Sequence, residues 1–446
     1  MGEDERWLNG GGIGPGSTPE AAIRRRRQPC AGAIRGRVLG SDPVNTDATA
    51  PPAPTRPSPV APIADPPTGL VRLFAACCGL IVGNLYYVQP LVALVAPDLG
   101  LSDSVASLVV SVTQAGYALG LLLLVPLGDV LENRRNIVVA TLVAAVALLG
   151  AATSTHTAQF LAASLLVGLA SVSVQMIVPL AAHLAPEASR GRIVGNVMGG
   201  LLFGILLSRP AASLVAHAAG WRAVFFLASG LMVAVAVLAA TTMPRRAPDH
   251  ALPYPALLRS LVTLFAETPV LRRRALYQAS LFAAFSMFWT AVPIELARRH
   301  GFTQSGIAVF ALVGAVGVFS GPLGGRLADA GHTVAATRIA LLCGAASLLI
   351  GLLPGGSSVV ALGATAVLLD FCVQMNIVVG QRTIYTLAPQ TRSRLNALYM
   401  ASIFTGGALG SAFASSLLVG HGWAGIALAG GLLPLMAAAW AALRDR

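Results

Sequence analysis

One pattern in this chain is written twice, and it restricts the fold more than any other feature. Val174-Gln175-Met176 is followed by Leu184-Ala185-Pro186, Arg190, Arg192, Met198, Gly204 and Gly220-Trp221. Val373-Gln374-Met375 is followed by Leu387-Ala388-Pro389, Arg392, Arg394, Met400, Gly406 and Gly422-Trp423. From the first arginine to the tryptophan the spacing is identical in the two copies. Each copy lies within long apolar stretches, so a block of membrane helices has been duplicated. Two like-built helical bundles packed side by side within one bilayer are the expected architecture.

Composition supports a chain that lives in lipid. Hydrophobic residues make up 55% and charged residues only 11%, whereas soluble domains carry roughly 25% charged residues. The formal charge of +12 comes without a single lysine. The arginines sit in the N-terminal tail and in alternate loops, without aromatic interleaving, which is the pattern of membrane orientation and not of nucleic-acid binding. The five cysteines have neither zinc nor disulfide spacing. No metal or cofactor motif and no nucleophile–base constellation is present, so an enzyme is not expected.

Residues 1–69 hold Gly10-Gly11-Gly12, the run from Arg24 to Arg27 and a Pro/Ala/Thr-rich stretch. Such a segment cannot bury a core and reads as a disordered cytoplasmic tail. Twelve apolar stretches follow, near the roughly 20 residues that a bilayer of about 30 Å requires. They fall at 70–96, 104–127, 136–153, 157–183, 191–216, 221–243, 273–297, 304–325, 334–353, 357–381, 393–419 and 422–443. The expected division is a six-helix bundle over 70–243, a cytoplasmic linker over 244–271 and a second bundle over 272–446. Arginine crowds the loops on one side, including Arg134, Arg135, Arg245, Arg246, Arg272, Arg273 and Arg274, against Arg222, Arg298 and Arg299 on the other. That bias places both termini in the cytoplasm. With both bundles on one chain, a monomer is the default.

Two loops at matching places carry a further repeat. Gly128-Asp129-Val130-Leu131-Glu132-Asn133-Arg134-Arg135 follows the second stretch, and Gly325-Arg326-Leu327-Ala328-Asp329-Ala330-Gly331-His332 follows the eighth. Both resemble the signature loop Gly-x-x-x-(Asp/Glu)-(Arg/Lys)-x-Gly-x-(Arg/Lys)-(Arg/Lys) of the major facilitator superfamily. The first loop lacks the internal glycine, and the second lacks the trailing basic pair. A glycine there allows close helix approach, and an acid beside arginines could latch the two halves together. Asn84-Leu85-Tyr86-Tyr87-Val88-Gln89-Pro90 is similar to the Asn-Leu-Tyr-Tyr-x-Gln-Pro-Leu segment of bacterial drug- and metabolite-efflux members, including the nucleoside- and arabinose-exporter-like group. The resemblance implies twelve transmembrane helices in two pseudo-symmetric bundles, a small-molecule substrate, protons as the usual driving ion of exporters, and alternating access. An uptake symporter and a non-transporting membrane sensor are the rival readings.

In that superfamily the first, fourth, seventh and tenth helices line the cavity. Asn84, Tyr86, Tyr87 and Gln89 would then be cavity residues of the first helix, Gln175 of the fourth, and Gln374 and Asn376 of the tenth; inter-helix hydrogen bonds are the alternative. Polar groups within hydrocarbon need a reason. Asp370 is the one acid placed near the middle of a stretch, which makes it the candidate for proton coupling; a structural hydrogen bond or pairing with Arg382 is the alternative. Arg209 lies about 10 Å from the outer end of the fifth stretch, at a depth compatible with Glu295. The two would form an outer gate, Arg209 would attract an anionic substrate, or it would snorkel to headgroups. The fifth helix resembles a glycine-rich antiporter motif through Gly195, Gly199, Gly200, Gly204 and Pro210, with Arg209 in place of the glycine before proline.

Overall fold

The structure, a computed structural model, describes residues 66–445 except 188, 247–252 and 388–390, and it leaves the side chains of 129, 315, 316, 318 and 319 undescribed. The expected tail therefore falls, up to residue 65, outside the described residues. Within them the chain is helical, without a strand.

The helices are α1 (Thr68–Gly83), α2 (Val92–Asp98), α3 (Leu108–Leu123), α4 (Asn133–Ala152), α5 (Thr157–Ala170), α6 (Val174–Leu184), α7 (Arg190–Ala219) and α8 (Trp221–Thr242). They continue as α9 (Tyr254–Glu267), α10 (Pro269–His300), α11 (Gln304–Ala311), α12 (Ser320–Asp329), α13 (Thr333–Leu349), α14 (Val359–Tyr385) and α15 (Arg392–Arg444). Among the described residues, nine helical segments are long and apolar enough to cross a membrane. One of these, α15, is really two, because Gly422 breaks it with φ 60° and ψ −159°. Two more crossings are interrupted and so fall short as single helices: α1–α2, and α11–α12 across the 3-10 turn Leu312–Phe319. Together they give twelve crossings, as the sequence predicts. With an even number, both ends of the described chain lie on one side, here called the near side.

Lipid exerts little hydrophobic force between helices, so close packing of small residues holds them together. The repeat shows how. A Cβ on Gly204 of α7 would strike the Gly79 backbone of α1, and one on Gly406 of α15 would strike Ala279 of α10. These two glycines are equivalent in the duplicated pattern and make equivalent contacts. In the same manner Gly116 and Gly120 of α3 admit the Leu165 and Leu169 carbonyls of α5.

The linker contains an element that the sequence reading did not anticipate. Leu257 and Leu261 of α9 are buried, one turn apart on the inner face. Tyr254 donates to the Leu123 carbonyl at 2.7 Å, and Arg394 donates to Ser260 at 2.9 Å. The amphipathic helix thus touches both the first six and the last six crossings on the near side.

Candidate functional site

The first crossing is broken where its polar residues lie. After Gly83 the chain turns through Asn84–Val88, makes a short 3-10 segment at Gln89–Leu91 and resumes as α2. Unwound backbone at membrane depth is tolerated where protein surrounds it. The break aims Gln89, fully buried, at α7, where Arg209 Nε donates to Gln89 Oε1 at 2.7 Å. The Arg209 guanidinium is 4.9 Å from the ring centre of Tyr86, 5.4 Å from Phe285 and 4.4 Å from Trp289. Desolvated cation–π contacts of this kind contribute about 2 kcal/mol or more each and offset much of the several kcal/mol that burying the charge costs. The guanidinium nevertheless keeps an unused donor. Arg209 Nη2 and Gln89 Nε2 both find no acceptor among the described residues.

Trp289 joins this cation to the buried acid. Its indole Nε1 donates to Asp370 Oδ1 at 2.8 Å. Arg209 and Asp370 are within electrostatic reach of each other across the ring. The eighth crossing pinches in on the acid: a Cβ at Gly314 would lie 2.6 Å from Asp370 Oδ2, and one at Gly317 would lie 2.6 Å from Asp370 Cβ. Glycine is needed at both places because nothing larger fits.

Beside this centre and on its far side the two sets of six crossings are in contact. Gln114 of α3 and Ser286 of α10 exchange two hydrogen bonds, at 2.8 and 3.1 Å. Ser107 donates to the Ala412 carbonyl at 3.1 Å and accepts from the Ser415 amide at 3.3 Å. Arg298 and Asp103 form an exposed ion pair at 2.7 Å. Beneath them runs an aromatic floor: Tyr117 meets Phe404 at 4.4 Å, Phe404 meets Phe282 at 5.1 Å, and Phe282 stacks on Phe285 at 5.1 Å.

On the near side the same two sets part around a cavity of 480 Å³. Its lining includes Gln175, His183, Arg190 and Arg246 from the first half of the chain, and Arg392 and Asn396 from the second. Gln175 donates to the Tyr117 hydroxyl at 3.1 Å, which ties the cavity to the aromatic floor. A separate apolar cleft of 540 Å³ lies among α1, α7 and α8.

The polar residues singled out in the sequence part company. Tyr86, Gln89, Arg209 and Asp370 converge as described. Asn84 turns away, donating to Ser171 Oγ and Met232 Sδ, both at 3.3 Å. Tyr87 lines the apolar cleft. Asn376 donates to Gln278 at 2.7 Å, forming a knot between α14 and α10, and Gln374 is half-buried. The expected Arg209–Glu295 pair does not form: Gln89 occupies Arg209, and Glu295 lies 3.4 Å from Arg299 on its own helix. Nor does Asp370 meet Arg382, which instead pairs with Asp329 at 2.9 Å.

The signature loops also differ from expectation. Asp329 binds the end of α14, and Glu132 lies 3.9 Å from Arg134 in its own loop. Arg134 in turn donates to the Met243 carbonyl. These acids therefore fasten neighbouring segments and do not bridge the two sets of crossings, which the cavity separates on this side. The Asp129 side chain lies outside the described residues. Arg135 and Arg326 are exposed. A Cβ on Gly128 or Gly325 would meet side chains only, Asn133 at 3.4 Å and Arg382 at 3.7 Å, whereas one on the adjacent Gly324 would crowd the Met375 carbonyl at 2.8 Å.

The sequence reading missed Trp289, Phe285, Gln114, Ser286, Gly314 and Gly317. The run Phe282, Phe285, Phe288 and Trp289 repeats at helical spacing within one apolar stretch, a signal that could have marked an aromatic face.

Comparison with known proteins bears on this arrangement. Residues 74–373 match the Major Facilitator Superfamily profile. An uncharacterised transporter of Escherichia coli O157:H7, YgaY, is 41% identical over 371 residues, covering 82% of this chain and 93% of that protein. A probable transporter of Streptomyces coelicolor, SCO4007, is 34% identical over 368 residues, covering 81% and 85%. Among solved structures, a bacterial homologue of the human lysosomal transporter Spinster, in an inward-facing and occupied conformation, superposes with a TM-score of 0.67 at 15% identity. That match covers 85% of this chain and 97% of the other, and at such identity it speaks for the fold alone. The chain belongs to the major facilitator superfamily and is a multi-pass membrane transporter.

Proposed function

We propose that this transporter exports small molecules by alternating access, driven by proton antiport through Asp370. The carrying observation is a buried carboxyl held by one donor, Trp289, whose ring also lies against the Arg209 guanidinium. A proton on Asp370 changes the charge that Arg209 faces, and a change of charge in a low-dielectric site is large enough to bias two conformations. Arg209 comes from the first half of the chain and Asp370 from the second, so a change at either acts between the proposed bundles 70–243 and 272–446.

With the termini in the cytoplasm, the near-side cavity is the inward opening and the Gln114–Ser286 contact belongs to the outer seal. Gln175 lines the inward cavity with Tyr86, Gln89 and Asp370 beyond the aromatic floor. The broken first crossing, with its Asn84 to Pro90 segment similar to efflux members, supports the outward direction. The protein works in the cytoplasmic membrane, and one chain suffices.

The test is accumulation of a panel of fluorescent and toxic compounds in an efflux-deficient bacterial host. Expression lowers accumulation of the exported compounds, and an uncoupler or Asp370→Asn restores it. Raised accumulation would mean uptake, and retained export in Asp370→Asn would remove the carboxyl from the coupling step.

A further inference from the structure

We propose that the substrate is a small organic anion with a flat apolar body, its negative group first read by a pair of repeat-related arginines, Arg190 and Arg392, at the cavity mouth. The inference rests on the cavity being the inward substrate path.

Arg190 and Arg392 occupy the same position in the two copies of the duplicated pattern, and both line the one cavity. Each is anchored in the same manner. Arg190 Nε donates to the Ala182 carbonyl at 3.1 Å, and Arg392 Nε donates to the Tyr385 carbonyl at 2.9 Å. Those carbonyls close the helices that precede them, α6 and α14. Using Nε on a helix end fixes the guanidinium plane and reserves the Nη edge, the edge that grips a carboxylate or sulfonate bidentately.

The remaining charge at the mouth has the same sign. Arg246 also lines the cavity, and no Asp or Glu is among its described lining residues. Arginine at the near side follows from membrane orientation alone, but orientation does not require the side chains to line the path between the two sets of crossings. At the deep end the pattern recurs: Arg209 keeps an Nη2 without an acceptor, beside a Gln89 amide in the same condition. Asp370, the acid beside it, accepts from Trp289. Between these two arginine stations the floor is aromatic, from Tyr117 through Phe404 to Phe282. Guanidinium donors at both ends and an aromatic middle match an amphipathic anion, and the arginine-lined mouth repels a cation.

The test uses the full chain in nanodiscs of phosphatidylcholine and three probes sharing one fluorophore: dansylglycine, an anion; dansylamide, neutral; and dansylcadaverine, a cation. Fluorescence anisotropy is expected to rank them in that order, with dansylglycine about tenfold tighter than dansylamide and weakened by salt. Arg190→Gln with Arg392→Gln removes the preference, while lysine at both positions, which keeps the charge but loses the planar fork, recovers only part of it. Equal binding of the three probes, or a preference that survives the double variant, overturns the proposal. So does displacement of dansylglycine when phosphatidylglycerol is added, since the arginines would then serve lipid headgroups. No gradient is applied, so the result is independent of whether export or proton coupling holds.

Discussion

Ser286→Ala should open the far side, and the size of the effect follows from burial. Both Ser286 and Gln114 are almost completely removed from solvent in the sealed arrangement. Without the serine hydroxyl, the Gln114 amide loses the partner of two hydrogen bonds. Leaving a buried polar group unpaired costs about 1–3 kcal/mol. That penalty applies only while the seal is closed, because Gln114 in an opened far side would face water. The ratio of sealed to far-open protein then falls about 5- to 150-fold. Arg298→Gln removes the more conspicuous ion pair to Asp103, but those side chains are 54% and 57% exposed. An exposed pair contributes about 0–1 kcal/mol, so its loss shifts the ratio at most about fivefold. Spin labels at Ser102 and Gly420, in a background with the cysteines replaced, report the opening as a longer distance in double electron–electron resonance. Gln114→Met combined with Ser286→Ala should restore the seal, because two apolar groups of similar shape leave nothing unpaired. The reasoning fails if Arg298→Gln opens the far side more than Ser286→Ala, or if the double variant is as open as the single one.

Three further outcomes follow from the same geometry. Trp289→Phe strips Asp370 of its donor and thins the π-face beneath Arg209; proteoliposome transport should drop about tenfold or more while detergent melting curves stay cooperative. Gly200→Leu forces a side chain into the Ala75 backbone of α1, and scanning fluorimetry should show destabilisation of about 1–3 kcal/mol, whereas Gly195→Ala and Gly199→Ala, open around their Cβ positions, should not destabilise. Hydrogen bonds from Trp221 and then Arg222 lower the Asp98 carboxyl below its ordinary range at the far-side rim. A carboxyl lowered in the folded state contributes stability above its unfolded value of about 4, and that contribution is lost as pH falls through the folded value. The melting difference between the native protein and Asp98→Asn should therefore close on acidification below about pH 4, and a gap that widens there would contradict the assignment.

The fold was legible because the bilayer limits the choices. A 20-residue apolar stretch between arginine-marked loops has one stable form, and duplication at a fixed spacing announced the second set of crossings. The site was legible only in part. Gln89, Arg209 and Asp370 stood out as polar residues in apolar stretches, but their partners did not, because partners are fixed by helix rotation and by kinks. Arg209 and Glu295 look compatible in depth when residues are counted from the stretch ends, yet Arg209 lies over Phe285 and Trp289 of α10, deeper on that helix than Glu295. The break after Gly83 turns Gln89 toward α7 and fills the position where the acid was expected. Asn84, only five residues earlier, is turned inward to Ser171 by the same break. Trp289 was passed over because an aromatic in an apolar stretch looks like core until its N–H is seen to meet a carboxylate.

The duplication itself explains why equivalent positions do different work. Repeated glycines keep repeated roles, since Gly204 and Gly406 each bring one helix against the backbone of another. Repeated polar residues do not. Gln175 binds Tyr117 on the cavity wall, whereas its counterpart Gln374 is half-buried on α14, and the charges Arg209 and Asp370 have no counterparts of like charge in the other copy. Backbone packing is set by small side chains that tolerate little change, so it preserves the symmetry that allows two halves to rock. Charges placed once, on one copy only, break that symmetry energetically. In the proposed mechanism a cation in the first half and a carboxyl in the second, joined through one indole, give the two halves a point at which a proton or an anion would interact unequally with the two arrangements, and only unequal interaction can move a conformational equilibrium.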